Sequence, residues 1–388
     1  MRLNFIIFFG IFFTIYGLVN LYILVRGWQS IPQGSSLKAP YLIFFLFVSL
    51  SFIAGRFIEN IWMSAVSNLL IWIGSFWLAA MLYLFLAIVL IDVLRLINHW
   101  LPVFPSWVTQ YPLQMKQWTA LGVMGVTVVL LIVGHLNTLT PRIRTLDLTL
   151  SKNMHGLKML NIVVASDIHL GILVGRTRLD RIAAKINELK PDLILLPGDI
   201  VDEDLAPVIR QNMGDSLTKL KASWGVFAIT GNHEYIGGVE EACRYLEDHG
   251  VMLLRDAVLR VNDSFTLIGR EDRSISRFSG KRRKPLAGLM ALVDRNNPVI
   301  LMDHQPFQLE DGENNGIDLQ LSGHTHHGQM WPLNFITERV YEVSWGYRKK
   351  NSTHVYVSCG VGTWGPPVRL GNRPEIVNIR VKFTGVDP

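Results

Sequence analysis

Five short polar clusters carry the residues of this chain that are suited to chemistry. They are Asp167-Ile168-His169, Gly198-Asp199-Ile200-Val201-Asp202, Gly231-Asn232-His233-Glu234, Asp303-His304-Gln305-Pro306 and Gly323-His324-Thr325-His326-His327-Gly328-Gln329. Carboxylate, amide and imidazole groups are hard oxygen or borderline nitrogen donors, which suit first-row divalent ions such as Mn²⁺, Fe or Zn²⁺ rather than a thiolate site. In the last cluster two histidines one residue apart can aim both imidazoles at one point, provided the backbone leaves its strand and turns there. Gly323 and Gly328 permit so tight a path. Each residue alone has an ordinary explanation: Asp167 as a helix cap, Asn232 closing a turn, His304 as a satisfied loop histidine. The combination carries the weight, because each of the five clusters follows an apolar, β-rich run.

Those runs define the elements that must position the clusters. Leu160 to Ala165, Asp192 to Leu196 and Gly225 to Ile229 read as strands, and apolar residues from Leu179 to Leu189 recur at helical spacing within Arg176 to Lys190. A second helix over Val239 to His249 stops at Gly250. Leu259 to Val261 and Thr266 to Ile268 read as a hairpin, followed by a helix around Leu286 to Asp294 and strands at Val299 to Met302, Ile317 to Leu321, Val355 to Val357 and Ile376 to Phe383. Thr145 to Leu150 alternates like an antiparallel edge strand. Ser274 to Lys284, with the basic run Lys281-Arg282-Arg283-Lys284, reads as a mobile surface loop. Polar residues gathered at the C-terminal ends of strands are what an open α/β sheet uses to bind ligands.

The 388-residue chain has a mean hydropathy of +0.28, too apolar for a soluble enzyme throughout, and its length suggests two or three domains. The apolarity is concentrated at the start. Six basic and two acidic residues lie before Pro141, leaving 31 basic against 29 acidic beyond it. Asn4 to Val25, Pro40 to Ile58, Leu69 to Ile91 and Trp118 to Leu139 are long enough to span a bilayer, with tryptophan and tyrosine near their ends. The first shows no small-residue cleavage pattern. Four such runs in succession argue against buried helices of a soluble core. No buried pair of charges marks a transport path, so anchoring is the expected role. The near-balanced remainder excludes nucleic-acid binding driven by global charge. Cys243 and Cys359, far apart, read as buried small residues rather than a disulfide or metal pair.

In their order and spacing the five clusters resemble the ordered blocks of the calcineurin-like metallophosphoesterases: Asp-x-His, Gly-Asp-x-x-Asp, Gly-Asn-His-Asp/Glu, a lone His and Gly-His-x-His. The Gly-His-Thr-His-x-Gly-Gln ending is similar to the bacterial membrane-associated branch. The resemblance covers roughly Leu160 to Val357 and implies an α/β domain of the α/β/β/α sandwich type over 141–388, following an N-terminal multi-span α-helical membrane region over 1–140. It implies two divalent metal ions, with Asp167, His169 and His326 on one, Asn232, His304 and His324 on the other, and Asp199 between them. A pair of ions about 3.5–4 Å apart can hold a bridging hydroxide for in-line attack on phosphorus. His233 is then placed to donate a proton to the leaving oxygen, with Asp202 and Glu234 as carboxylates that orient these groups. His327 departs from the glycine common in that branch, and its side chain is expected to face solvent. Arg273 and Arg369 are the remaining phosphate-contact candidates.

The expected activity is hydrolysis of a phosphodiester or pyrophosphate, in a lipid-linked substrate because the anchor holds the site near a bilayer. The alternatives are a phosphomonoesterase acting on protein or soluble phosphates, and a metal-dependent binding module without catalysis. The expected partners are a phosphate ester and membrane lipids, with no nucleic acid. The expected location is the cell membrane, with multiple crossings. Four crossings put Arg2, Arg56, Arg142, Arg144 and Lys152 on the side of the soluble part, against Arg26, Lys38, Arg95 and Lys116. This excess favours a cytoplasmic catalytic part.

Overall fold

The computed structural model describes residues 2–154 and 157–385, so Met1 and 386–388, at the outer limits of the two expected domains, lie outside the described residues. The chain forms two compact units, Met1–Gly134 and His135–Pro388. In the first, the long helices are Arg2–Trp28, Lys38–Ile61, Ala65–Trp100 and Pro112–Leu139, the last continuing into the second unit. The third starts where the Ser64 hydroxyl accepts from the Ser67 amide and the Ser67 hydroxyl accepts from the Ser64 amide, a reciprocal cap. All four are long and apolar enough to cross a membrane, and at most 28% of any apolar window is buried by protein. So much uncovered apolar surface needs a lipid solvent, and the chain is membrane-associated.

The 36 residues of Ala65–Trp100 extend about 54 Å. This exceeds a hydrocarbon core of about 30 Å, leaving room for its charged turn outside the core. Charged residues of these helices do pair, with at least one member of each pair partly exposed. Asp92 lies 2.6 Å from Arg26 of the first helix and 3.4 Å from Arg95, and buried Glu59 lies 3.1 Å from Arg56. Arg56–Glu59 and Asp92–Arg95 are local pairs three residues apart, whereas Arg26 and Asp92 meet only once their helices pack.

Among the described residues, the second unit holds twelve strands in two six-stranded sheets. The strands are β1 (Arg142–Leu150), β2 (Met159–Val164), β3 (Leu193–Pro197), β4 (Val226–Ile229), β5 (Met252–Leu253), β6 (Ala257–Val261), β7 (Phe265–Gly269), β8 (Val299–Met302), β9 (Leu319–Ser322), β10 (Gly346–Lys350), β11 (Thr353–Val357) and β12 (Glu375–Phe383). Their orders are β1-β12-β2-β3-β4-β5 and β10-β11-β9-β8-β7-β6. Within the first sheet β2, β3 and β4 are parallel neighbours, and in the second β7, β8 and β9 are. β1 is an edge strand as expected, but it runs parallel to β12 rather than antiparallel. Alternation reports which side chains face inward, not strand direction.

Strand periodicity sorts the core into layers. Leu160, Ile162, Val164, Leu193 and Leu195 from the first sheet pack with Phe265, Leu267, Ile300, Met302, Leu319 and Leu321 from the second. The opposite face of the first sheet, with Val163, Ile194 and Leu196, is covered by Leu179, Ile182, Ala183 and Ile186 of helix Arg176–Glu188. Ile268, Val299 and Leu301 are covered by Leu286, Leu289 and Met290. The result is an α/β/β/α sandwich. The Ser274 to Lys284 segment is anchored rather than loose: Ile275–Phe278 is a helical turn, Arg283 lies 2.8 Å from Asp303 and the Lys284 amide donates to Asp256.

Phe265 is fully buried between the sheets, its ring 5.9 Å from Trp224. Phe265→Ala should lower stability by about 3–5 kcal/mol, read from denaturant unfolding of the full chain in detergent with near-ultraviolet dichroism as the probe.

Candidate metal centre

β2, β3 and β4 end at Asp167 and His169, Asp199, and Asn232 and His233, respectively. β8 ends at His304, and β9 at His324 and His326. Adjacent parallel strands finish at the same level, so each sheet delivers its polar loops to one edge. The backbone turns sharply there. Asp167 and His169 have φ of 53°, Asp199 50°, His324 71° and His326 46°, a left-handed conformation that costs a side-chain-bearing residue roughly 1–3 kcal/mol when not offset by its surroundings. This is the turn out of the strand that the two-histidine spacing requires. A Cβ on Gly231 would collide with the Asp199 carboxylate, and one on Gly323 with Ser166 and Asp167. Both positions need glycine for this close approach.

The side chains form trios whose ligand atoms lie within 4.8 Å of one another: Asp167, His169 and His326; Asp199, His304 and His324; and His169, Asp199 and His233. His169 Nε2 and His326 Nε2 are 2.9 Å apart. Asp199 Oδ2 lies 3.0 Å from His304 Nε2 and 3.9 Å from His169 Nε2, so one carboxylate oxygen stands between the first two trios. Asn232 Oδ1 is buried without a hydrogen-bond partner. The carbonyl of Pro197 can only accept, so His304 Nδ1 donates to it at 2.8 Å and turns Nε2 toward Asp199. Such an outer hydrogen bond orients a metal-binding imidazole.

Burial and charge then set the protonation of the group. His324 is pushed down to about 3, by burial first and then by the charge of His304. His326 is pushed far down by burial, His169 and Arg369. Both keep a lone pair free. Burial pushes Asp167 up, whereas for Asp199 the charges of His304 and His233 overcome burial and hold it well below the usual carboxylate range. An orphaned amide oxygen on Asn232, the neutral imidazoles of His324 and His326, and carboxylates facing one another fit divalent cations.

Residues 160–328 match the sequence profile described as calcineurin-like phosphoesterase. A Caenorhabditis elegans protein named as a metallophosphoesterase is 30% identical over 86% of this chain and 72% of its own length. The chain belongs to the calcineurin-like metallophosphoesterases. An uncharacterized metallophosphoesterase of Campylobacter jejuni is 29% identical over 97% of this chain and 99% of its own. A zebrafish transmembrane protein with a metallophosphoesterase domain is 32% identical over 66% of this chain and 61% of its own. The chain thus spans about three fifths of the length of that relative, of its bovine counterpart and of two Helicobacter pylori metallophosphoesterases.

Around the trios of this metallophosphoesterase lies a second layer. Asp202 Oδ1 is 3.0 Å from His233 Nδ1 and 3.5 Å from His169 Nδ1. Burial pushes the Asp202 carboxyl up, but hydrogen bonds from these two rings prevail and hold it ionised. His233 is lifted to about 9, since Asp199, Asp202 and Glu203 outweigh the opposing effect of burial. Glu234 does different work. Its carboxylate accepts from the amides of Gly231 at 2.7 Å, Asp199 at 3.2 Å, Ile200 at 2.7 Å and Val201 at 2.9 Å, fastening the second cluster to the third.

The other singled-out residues lie elsewhere. His327, expected to face solvent, is instead half-buried, its Nδ1 2.9 Å from Ser344 Oγ and its ring 5.0 Å from Trp345. Arg273 donates to Gln308 Oε1 and Phe307 O, away from the trios. Arg369 is fully buried, with Nη2 donating to Cys359 O and Gly362 O and lying 3.1 Å from His326 Nδ1. Three residues had no sequence signal for their roles. Asn372 donates to the carbonyls of His326 and His327, and Gln329 accepts from Trp364 N and donates to Trp364 O and Pro366 O. Trp364 itself stands with its ring 6.0 Å from His233.

Glu234→Ala would leave four buried amides without an acceptor, each costing about 1–3 kcal/mol. The variant should purify with less than about half the metal of the parent chain, measured by elemental analysis after passage over a desalting column. Glu234→Gln, which keeps one acceptor oxygen, should lose less.

Proposed function

We propose that this chain is a multi-pass membrane hydrolase that cleaves a phosphodiester or pyrophosphate bond, with a lipid-linked ester as its substrate class. The observation that carries this reading is the single oxygen of Asp199 facing His304 on one side and His169 on the other, which joins two ligand sets into one dinuclear site. Asp167, His169 and His326 would hold one ion, and Asn232, His304 and His324 the other. These oxygen and nitrogen donors suit Mn²⁺, Fe or Zn²⁺. Two divalent ions there would neutralise phosphate oxygens and make water a stronger acid.

The protein's own groups supply the rest. The ionised Asp202 carboxylate lies 3.0 Å from His233 Nδ1, which orients the ring and leaves Nε2 to carry a proton toward a departing oxygen. Asp202 thereby acts as an orienting carboxylate and Glu234 as the clamp that keeps the loops in place. Trp364 borders the site with an exposed apolar ring, which suits an organic leaving group better than bare phosphate. Within the basic run Lys281 to Lys284, Arg283 is engaged with Asp303 while Lys281 and Arg282 remain exposed toward anionic groups. A cytoplasmic face for the catalytic unit is favoured by the count of five basic residues on its side of the four crossings against four on the other.

In detergent with added Mn²⁺, the full chain should hydrolyse a bis-ester faster than the corresponding monoester. Turnover of the monoester alone would remove the diester reading, and metal binding without turnover of any phosphoester would establish a binding module. Asp199→Asn and His233→Ala should each reduce kcat by roughly 10²–10⁴-fold, and near-normal rates in both would overturn the mechanism.

A further inference from the structure

Five large apolar side chains remain uncovered on one rim of the catalytic unit: Trp331, Phe335, Ile336, Val340 and Trp364, each between 53% and 60% exposed. Three of them lie on helix Asn334–Val340, which packs on the His326–Gly328 turn. They form one rigid surface. Leu370 N donates to Gln329 O at 3.0 Å and Trp331 N to Leu370 O at 2.8 Å, while Gln329 grips the backbone of Trp364. A soluble surface does not ordinarily carry so many large apolar groups side by side.

The loop beneath this rim is tied to a particular helix end. His135 Nδ1 donates to Pro367 O at 2.9 Å, and Asn137 Nδ2 donates to Arg369 O at 3.1 Å. His135 and Asn137 form the last turn of Pro112–Leu139, a helix long and apolar enough to cross a membrane. A crossing helix ends in a headgroup layer, where tryptophan and phenylalanine are favoured. Arg339, exposed on the same short helix as Phe335 and Val340, suits anionic headgroups.

We infer that Trp331, Phe335, Ile336, Val340 and Trp364 insert into the headgroup layer of the bilayer and hold the mouth of the metal site against lipid. The metal site then samples esters at the membrane surface rather than in bulk water. The inference rests on the exposed rim and its hydrogen-bonded tie to a helix end, and holds whichever ester is cleaved.

The test places an environment-sensitive fluorophore at Ile336→Cys in the full chain, reconstituted into nanodiscs of phosphatidylcholine and phosphatidylglycerol. Cys243 and Cys359 are buried, so the unsubstituted chain serves as the labelling control. Emission at position 336 should shift to the blue and fall roughly twofold with nitroxide lipids labelled at a shallow acyl position, and less with a deep label. The same label at Leu292, which is 76% exposed away from this helix in sequence, should stay water-like. A parallel Val340→Cys variant guards against local misfolding. Water-like, unquenched emission at both 336 and 340 would overturn the inference. So would blue-shifted emission that nitroxide lipids do not quench and that appears only with two chains per disc, since a second copy would then cover the rim.

Discussion

The site is governed by the difficulty of burying carboxylates. Asp167, Asp199 and Glu234 are at most 2% exposed, and an ionised carboxylate in such surroundings needs hydrogen bonds or opposite charge. Glu234 is satisfied by four backbone amides, and Asp202 by two imidazoles. Asp167 accepts from the His324 amide and the Ser166 hydroxyl, and Asp199 from the His233 amide. These last two also turn oxygens toward the ring nitrogens of His326 and His304, respectively. Arg369 is the buried cation beside them, and it is directed to carbonyls and to the back of His326. The carboxylate oxygens of Asp167 and Asp199 thus face the space between the trios, where divalent cations would be held.

Such an arrangement tolerates little movement, which explains the rest of the fold. Left-handed backbone at five of the seven metal-ligand candidates is retained only where the surroundings over-determine it. The surroundings are two sheets in which β2, β3, β4, β8 and β9 are buried along almost their whole length. Packing between the sheets fixes the height at which each strand ends, and the loops convert those heights into ligand positions. The core therefore sets the positions of the candidate ligands, and Ile168, Ile200 and Val201 extend it into the clusters themselves.

Much of this was legible because both periodicity and chemistry are local. Val299 to Met302 is a strand by composition and is one in the structure, and His304 follows it after Asp303 alone. β5 and β10 escape the pattern for different reasons: Met252–Leu253 is too short to show one, and Gly346–Lys350 is a polar edge strand, hairpin-paired to β11, with no apolar alternation. The direction of β1 was misjudged because its register depends on β12, more than two hundred residues later. Glu234 could be recognised as important from its place after His233, but its role as acceptor for three amides of the neighbouring cluster required the β3 and β4 loops to be brought together.

The two-histidine stretch shows where sequence reasoning reaches its limit. The hydroxyl of Thr325 donates to Ser344 O and accepts from the His327 amide, so this residue sets the turn that separates His324 from His326. His327 draws the eye as a third imidazole, but its ring is used against Trp345 and Ser344. The residue whose identity matters more is Gln329: a plain amide with no chemistry of its own, it joins the histidine turn to the loop that presents Trp364 beside His233. Residues that ligate are recognisable by type. Residues that hold ligands in place use amides, hydroxyls and guanidinium groups found everywhere on protein surfaces, and only burial and direction distinguish them.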